Sequence, residues 1–303
     1  MSSRQRARHA HRDSGRGPML RRRGLLTAGL AVAASTAWPA SSAVGAEDAP
    51  NLSTSRAMVA VPQPTGRPVF FYSPHQDDET LFMGQIIARH ALAGREVHVV
   101  LVTDGRASAA RQTINGTGIN GWWKDRHYPE REGYAPLTQQ QFVEARTREF
   151  VSACGQLGVW PQNVHVEGYH DSTLTPAQAA SVFEKYDALY PTAGHYTMSW
   201  DDTTTDHRTL GQALRTLALA NAKKWNDVRW TIKQENAHRV AGAKAYTMPS
   251  DVRLQTQELA RRAARAYGAW CPASGSFAVG YHSVGPTYFP RVEKGEPNWY
   301  HGK

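Results

Sequence analysis

Residues 68–103 read PVFFYSPHQDDETLFMGQIIARHALAGREVHVVLVT, and this stretch sets the architecture. Val69-Phe70-Phe71-Tyr72 is a compact apolar run between Pro68 and Pro74, which predicts a strand buried on both faces. From Glu79 to Ala93 the apolar residues Phe82, Met83, Ile86, Ile87 and Ala91 recur at helical spacing, and Gly94 ends the run. Val97 to Thr103 is a second strand. Strand, helix and strand in so short a span form a βαβ unit, and a βαβ unit implies a parallel sheet.

Outward from this unit the alternation continues. Helical spacing is expected from Gln140 to Leu157, Pro176 to Leu189, His207 to Lys224 and Val252 to Tyr267. Strands are expected at Asn163–Gly168, Tyr196–Trp200, Val228–Ile232 and, last, Phe277–Tyr281. Thr175 is the expected N-cap of the third helix, with Pro176 in its first turn. The expected fold is α/β, a Rossmann-like three-layer sandwich around a mostly parallel sheet, in a single domain over residues 68–303. Residues 104–139 lack apolar periodicity and are rich in Gly, Asn, Trp and charge, and a long ordered excursion of that kind is usually functional.

The 303 residues carry a formal charge of +9, but unevenly. Residues 1–46 hold eight Arg against one Asp, a charge of +7, so the remaining 257 residues carry only +2. A basic pI therefore does not argue for nucleic-acid binding, because most of it belongs to a leader. Arg22-Arg23-Gly24-Leu25-Leu26 fits a twin-arginine export signal. The apolar stretch from Leu25 to Trp38 is too short to span a bilayer, and Val44-Gly45-Ala46 is a candidate cleavage site. Residues 47–67 are a polar, Pro-rich lead-in. The expectation is a protein exported by the Tat machinery, secreted or extracytoplasmic, with no stable membrane insertion after signal cleavage. Twin-arginine export carries folded proteins, which suits one that acquires a metal before leaving the cytoplasm. The two cysteines, Cys154 and Cys271, have no metal-binding spacing, and whether they pair is left open.

Chemistry concentrates in Ser73-Pro74-His75-Gln76-Asp77-Asp78-Glu79, at the carboxyl end of the first strand, where open parallel sheets bind ligands. His75 and Asp78 lie three apart on a turn entering a helix, so their side chains can converge. An imidazole nitrogen and a carboxylate oxygen suit Zn²⁺. Asp77, between them, is placed to take a proton from a water activated at that metal. Acids at a helix start also serve as caps, so the residues alone leave a cap and a metal site both open.

The segment His75-x-Asp77-Asp78-Glu79 resembles the His-Pro-Asp-Asp-Glu motif of the PIG-L/LmbE-like zinc-dependent de-N-acetylases, and the chain is similar to a secreted bacterial member of that family. The resemblance runs over most of residues 68–225, including Leu101-Val102-Thr103-Asp104-Gly105 and the helix ending Leu157-Gly158-Val159. It implies a Rossmann-like fold, one Zn²⁺ per chain, and removal of the N-acetyl group from an N-acetylated sugar or glycoconjugate. It also implies His207 as third metal ligand beside His75 and Asp78, with Asp77 catalytic. On its own, His207 reads rather as a helix-start residue capped by Thr205 or Asp206.

Two departures stand out. Gln76 replaces the family's Pro. Thr204 replaces the first imidazole of its His-x-x-His motif, the group that polarises the amide carbonyl or protonates the leaving amine. The stand-in candidates are His195, Tyr196, His170 and His282. Asp206 is a candidate to hydrogen-bond a neighbouring imidazole. Arg106, Arg111 and Arg126 are candidates to bind sugar hydroxyls or an acidic group, and Trp122-Trp123 to stack on a sugar ring. The competing function is a secreted, metal-containing carbohydrate-binding protein with little or no turnover. A Mg²⁺ phosphoryl-transfer site is disfavoured by the histidines and by the lack of a Gly-rich phosphate loop.

Overall fold

The computed structural model describes residues 64–119 and 126–302. The export signal, nearly all of the 47–67 lead-in and Trp122-Trp123 lie outside the described residues. Among the described residues the strands are β1 (Val69–Ser73), β2 (Val97–Thr103), β3 (Val164–Tyr169), β4 (Gly194–Met198), β5 (Val228–Ile232), β6 (Lys244–Ala245), β7 (Trp270–Cys271), β8 (Ser276–Phe277) and β9 (Trp299–His301). Seven of them form one sheet in the order β3-β2-β1-β4-β5-β9-β6, and β7 pairs with β8 as a separate hairpin. The first five are mutually parallel, and β9 runs antiparallel to both β5 and β6.

The helices are α1 (Asp78–Leu81), α2 (Gly84–Leu92), α3 (Ala110–Ile114), α4 (Pro129–Glu132), α5 (Gln139–Gln156), α6 (Pro176–Leu189), α7 (Thr205–Ala220), α8 (Arg253–Ala266), α9 (Val279–Ser283) and α10 (Tyr288–Lys294). They cover both faces of the sheet, and β1 shows why its run is apolar without alternation. Val69 and Phe71 point into one core, with residues of α2, α5, α8 and α10 such as Ile87, Phe150, Ala263 and Phe289. Phe70 and Tyr72 point into the other, with Phe183 of α6 and Leu214 of α7. A third, smaller cluster joins Ile114 of α3 to Phe142 of α5 and Val279 of α9, and so anchors the long excursion to the domain.

Two local differences from the sequence-based expectation have physical causes. The helix expected over 79–93 breaks after Leu81 and resumes at Gly84. Asn298 spans the break: its Nδ2 donates to Leu81 O at 3.1 Å and its Oδ1 accepts from Gln85 N at 2.9 Å, satisfying groups the helix ends leave unpaired. The strand expected at Phe277–Tyr281 is instead the end of β8 followed by α9. The buried Glu149 carboxylate accepts from Val279 N and Gly280 N at 2.8 and 3.0 Å, and a carboxylate on exposed N–H groups favours a helix start. The last strand of the sheet is β9, three residues long and without a readable pattern. By contrast, α6 starts as expected, with Thr175 and Gln178 forming a reciprocal capping box before Pro176. Cys154 is buried in the core and Cys271 is exposed; they do not pair.

Candidate active site

The turn between β1 and α1 is held from several directions. Pro74 O accepts from Thr103 N at 3.0 Å and from Thr103 Oγ1 at 2.8 Å. Tyr267 Oη, on the residue after α8, accepts from Asp77 N at 2.9 Å and donates to Glu79 Oε1 at 2.7 Å. Asp77 sits at φ 97°, a left-handed conformation that non-glycine residues rarely adopt, and such strain is characteristic of functional turns. Gln76 is fully buried and donates to Asp104 O at 3.1 Å, so the residue that replaces the expected Pro ties the turn to the end of β2. Gly105 completes that tie. Its φ is +66°, and a Cβ there would collide with Gln76 Oε1 and Arg146 Nη1.

Across the sheet edge, β4 leads through residues 199–204 into α7, which presents His207 in its first turn. Gly211 lets α7 lie directly on this segment, because a Cβ there would strike the backbone of Ser199 and Trp200. The two segments bring His75 and His207, 132 positions apart, to an Nδ1–Nε2 distance of 3.2 Å. Asp78 Oδ2 lies 3.3 Å from His75 Nδ1 and 3.0 Å from His207 Nε2. Three donor atoms thus meet at one point, and together they form a candidate metal-binding group.

Carboxylates stand behind both imidazoles. His75 Nε2 faces Asp171 Oδ1 at 3.1 Å and Asp206 Oδ2 at 3.3 Å. These acceptors fix the ring proton on Nε2, which leaves the Nδ1 lone pair for the meeting point. Asp206 therefore serves the imidazole of the other segment rather than its sequence neighbour. Behind His207, Asp202 Oδ1 lies 3.5 Å from Nδ1. Electrostatics follow this geometry. Burial opposes charge on His75, yet its hydrogen bonds to Asp171, Asp206 and Asp78 raise its pKa well above the ordinary value. Burial likewise opposes charge on His207, and Asp78 and Asp202 raise it. Asp78 is held low against the cost of its burial by both histidines. Asp171 and Asp202, though desolvated, are each held at about 2, chiefly by their histidine partners.

Asp77 lies beside the group. Arg146 Nη2 donates to its Oδ2 at 3.1 Å and Ser283 Oγ donates to the same oxygen at 2.8 Å. Burial pushes the Asp77 pKa up, and Arg146 pulls it back. Asp77, Arg146, Ser283 and the three converging residues His75, Asp78 and His207 border a cleft of about 310 Å³ that is also lined by Thr204, Lys233 and Tyr288.

Residues 70–218 match the family model described as "PIG-L: GlcNAc-PI de-N-acetylase". The chain carries a PIG-L family domain. No curated protein matches the chain in sequence. Among solved structures, the chain is similar to a triple mutant of a deacetylase from the teicoplanin biosynthetic pathway (17% identity, 78% of this chain and 97% of that chain, TM-score 0.52). It is also similar to the zinc-inhibited form of teicoplanin deacetylase Orf2 (16% identity, 77% and 97%, TM-score 0.51). At these identities the likeness is one of fold.

Of the residues singled out in sequence, the structure gathers His75, Asp77, Asp78, Asp206 and His207, and leaves others elsewhere. His195 is buried in β4 with Nδ1 2.9 Å from Tyr72 Oη, on the face away from Tyr196, whose hydroxyl donates to Asp227. His170 is exposed. His282 is buried, with Nδ1 donating to Ala278 O and Nε2 2.8 Å from His127 Nε2. Arg106 pairs with Asp104 at 2.6 Å, Arg111 sits in α3, and Arg126 lies over the Tyr128 ring. None of the three arginines lines the cleft; among the described residues of the excursion, Ala107, Ser108 and Ala109, just after Arg106, reach its wall. Asp171, Arg146, Asp202, Lys233 and Ser283 were not legible as site residues. Asp171 and Lys233 did carry a signal: each follows a strand at its carboxyl end.

Proposed function

We propose that this protein is an exported zinc-dependent hydrolase that removes the N-acetyl group from an amino-sugar-containing substrate. The observation that carries the reading is the convergence of His75 Nδ1, Asp78 Oδ2 and His207 Nε2 within 3.3 Å of one another, with Asp77 alongside. The donors fit a zinc ion. Two imidazole lone pairs and a carboxylate aimed at one point need a positive charge between them, and the raised pKa values of both histidines express the same demand. When bound, zinc would supply a Lewis acid that lowers the pKa of water and polarises the amide carbonyl.

The chain's own residues do the rest. Arg146 and Ser283 hold Asp77 Oδ2, which leaves Oδ1 to receive a proton from the attacking water. Hydroxide adds to the carbonyl carbon. As the C–N bond breaks, Asp77 returns the proton to the departing nitrogen, and the products are acetate and a free amine. Desolvation keeps the Asp77 pKa raised, which suits a group that both takes and gives a proton. The amino-sugar class follows from the family description, and the export from the Arg22-Arg23 leader. Among the described residues no helix is long and apolar enough to cross a membrane.

The test is acetate release by purified, zinc-loaded protein from a panel of N-acetylated sugars and glycoconjugates. Release that is abolished in Asp77→Asn, with zinc content kept, supports the reading. Sugar binding with no acetate from any substrate favours the alternative of a metal-containing carbohydrate-binding protein, which the replacement of the family imidazole by Thr204 motivates.

A further inference from the structure

Where the sequence has Thr204, the cleft holds an ammonium group instead. Lys233 is the first residue after β5, at the same sheet edge as His75 and the 199–207 segment. It is buried, with only 8% of its surface exposed, and it lines the cleft with Thr204, Asp77 and His207. A buried lysine needs acceptors, and this one has two: Asp202 Oδ1 at 3.1 Å and Thr204 Oγ1 at 2.8 Å. An ammonium carries three N–H donors, so beyond these two hydrogen bonds one remains for a molecule in the cleft, on a group that also lies 5.7 Å from the centroid of the Phe82 ring in the cleft wall. Thr204 is the N-cap residue of α7, yet its side chain makes no cap hydrogen bond; its hydroxyl oxygen receives Lys233 instead.

The other candidate groups of the region are anchored by contacts of their own, Arg146 through both Nη atoms while its buried Nε has no hydrogen-bond partner among the described residues. Arg146 donates to Gly105 O, Gln76 O and Asp77 Oδ2. His195 is turned to Tyr72, and His282 to Ala278 O and His127. Tyr288 Oη donates to Glu235 Oε1 at 2.7 Å.

Building on the hydrolase reading, we infer that Lys233 is a catalytic residue that takes over the charge-stabilising part of the missing imidazole. Its ammonium, held by Asp202 and Thr204, donates a hydrogen bond to the amide carbonyl oxygen and strengthens that bond as the oxygen becomes negative. Lys233 keeps its proton throughout, and the proton for the leaving amine still comes from the water by way of Asp77. A fixed cation aimed at developing charge in a desolvated cleft acts on the transition state more than on substrate binding.

The experiment compares wild-type, Lys233→Met and Lys233→Arg proteins, each zinc-loaded, for acetate release, zinc content, melting temperature and binding of acetate by calorimetry. The expected result for Lys233→Met is a kcat lower by about 10²–10³-fold with KM little changed and zinc retained. Acetate binding weakens by about tenfold, and Lys233→Arg regains part of kcat. A folded, zinc-retaining Lys233→Met with kcat and acetate affinity within threefold of wild type overturns the inference while leaving the hydrolase reading intact. If Lys233→Met does not fold, Lys233→Gln is judged by the same criteria; failure of both to fold makes Lys233 a purely structural cation and also overturns it. Wild-type protein that releases no acetate from any substrate overturns the hydrolase reading itself.

Discussion

Ser283 Oγ donates a hydrogen bond to Asp77 Oδ2 at 2.8 Å, joining residues 206 positions apart. The contact exists because Glu149 captures the first N–H groups of α9 and so sets where its last residue points. The proposed general base is thus positioned from the C-terminal part of the chain. Ser283→Ala removes a hydrogen bond to a charged group, worth about 1.5–3 kcal/mol. The expected outcome is a kcat lower by about tenfold or more, with zinc content unchanged, measured by acetate release and metal analysis. Unchanged kcat would show that Arg146 alone orients Asp77.

Asp202 is expected to govern metal affinity through His207 and, through its hold on Lys233, turnover at saturating metal as well. It stands 3.5 Å behind His207 Nδ1 and pairs with Lys233. Carboxylates in this position typically control metal affinity by about 10–100-fold. Asp202→Asn should weaken zinc binding by that factor, read by competition with a chelator, and His207→Ala should abolish stoichiometric binding.

Metal removal should lower stability. A ligand that binds only the folded state adds RT ln(1 + [L]/Kd), about 2.7 kcal/mol at a hundredfold excess over Kd. Chelation should therefore reduce the melting temperature of the wild type and leave that of His207→Ala unmoved. Equal shifts in both would place the metal elsewhere.

Gly105→Ala should be destabilising by more than the roughly 1–2 kcal/mol that left-handed backbone alone costs a residue with a Cβ. A positive φ disfavours the new side chain, and its Cβ would collide with Gln76 and Arg146, both of which hold the catalytic turn. Urea unfolding measures the loss, and kcat should fall with it. Gly242, also at positive φ (+77°) but with nothing close to an added Cβ, provides the control: Gly242→Ala carries the backbone cost alone.

Stability should also fall with acid through His195. Burial is the main cause that lowers its pKa to about 4, outweighing the attraction of Asp187 and Asp227; Arg67 and Lys224 add to the lowering. The folded state thus holds this ring neutral, while the unfolded chain takes up its proton near 6.5. The unfolded state binds more protons in that window, so stability is full above about pH 6.5 and drains as pH falls toward 4. For this one group the loss between pH 7 and pH 5 is about 2 kcal/mol. His195→Gln should show a smaller pH dependence than the wild type over that interval in denaturant unfolding. Equal slopes would mean the ring is not held neutral.

The sequence determined the framework on its own. The run Val69–Tyr72, the amphipathic stretch after it and Val97–Thr103 allow only a strand buried on both faces, a crossover helix and a parallel partner, because period and composition are local properties. The placement of His75, Asp77 and Asp78 at that strand's carboxyl end was equally legible. Two acids and a histidine in four residues of a strand-to-helix turn form a local pattern. Tertiary structure alone decided the rest. Asp202 and Ser283 sit in unremarkable local sequence, and Asp171 and Lys233 carry only the weak signal of following a strand; they become a site only where the ends of parallel strands stack side by side and α9 packs against them. The break between α1 and α2 was set by Asn298, and α9 in place of a strand by Glu149. Each depends on a hydrogen bond across more than a hundred residues, and a bond of that span leaves no periodicity in the chain from which it could be read.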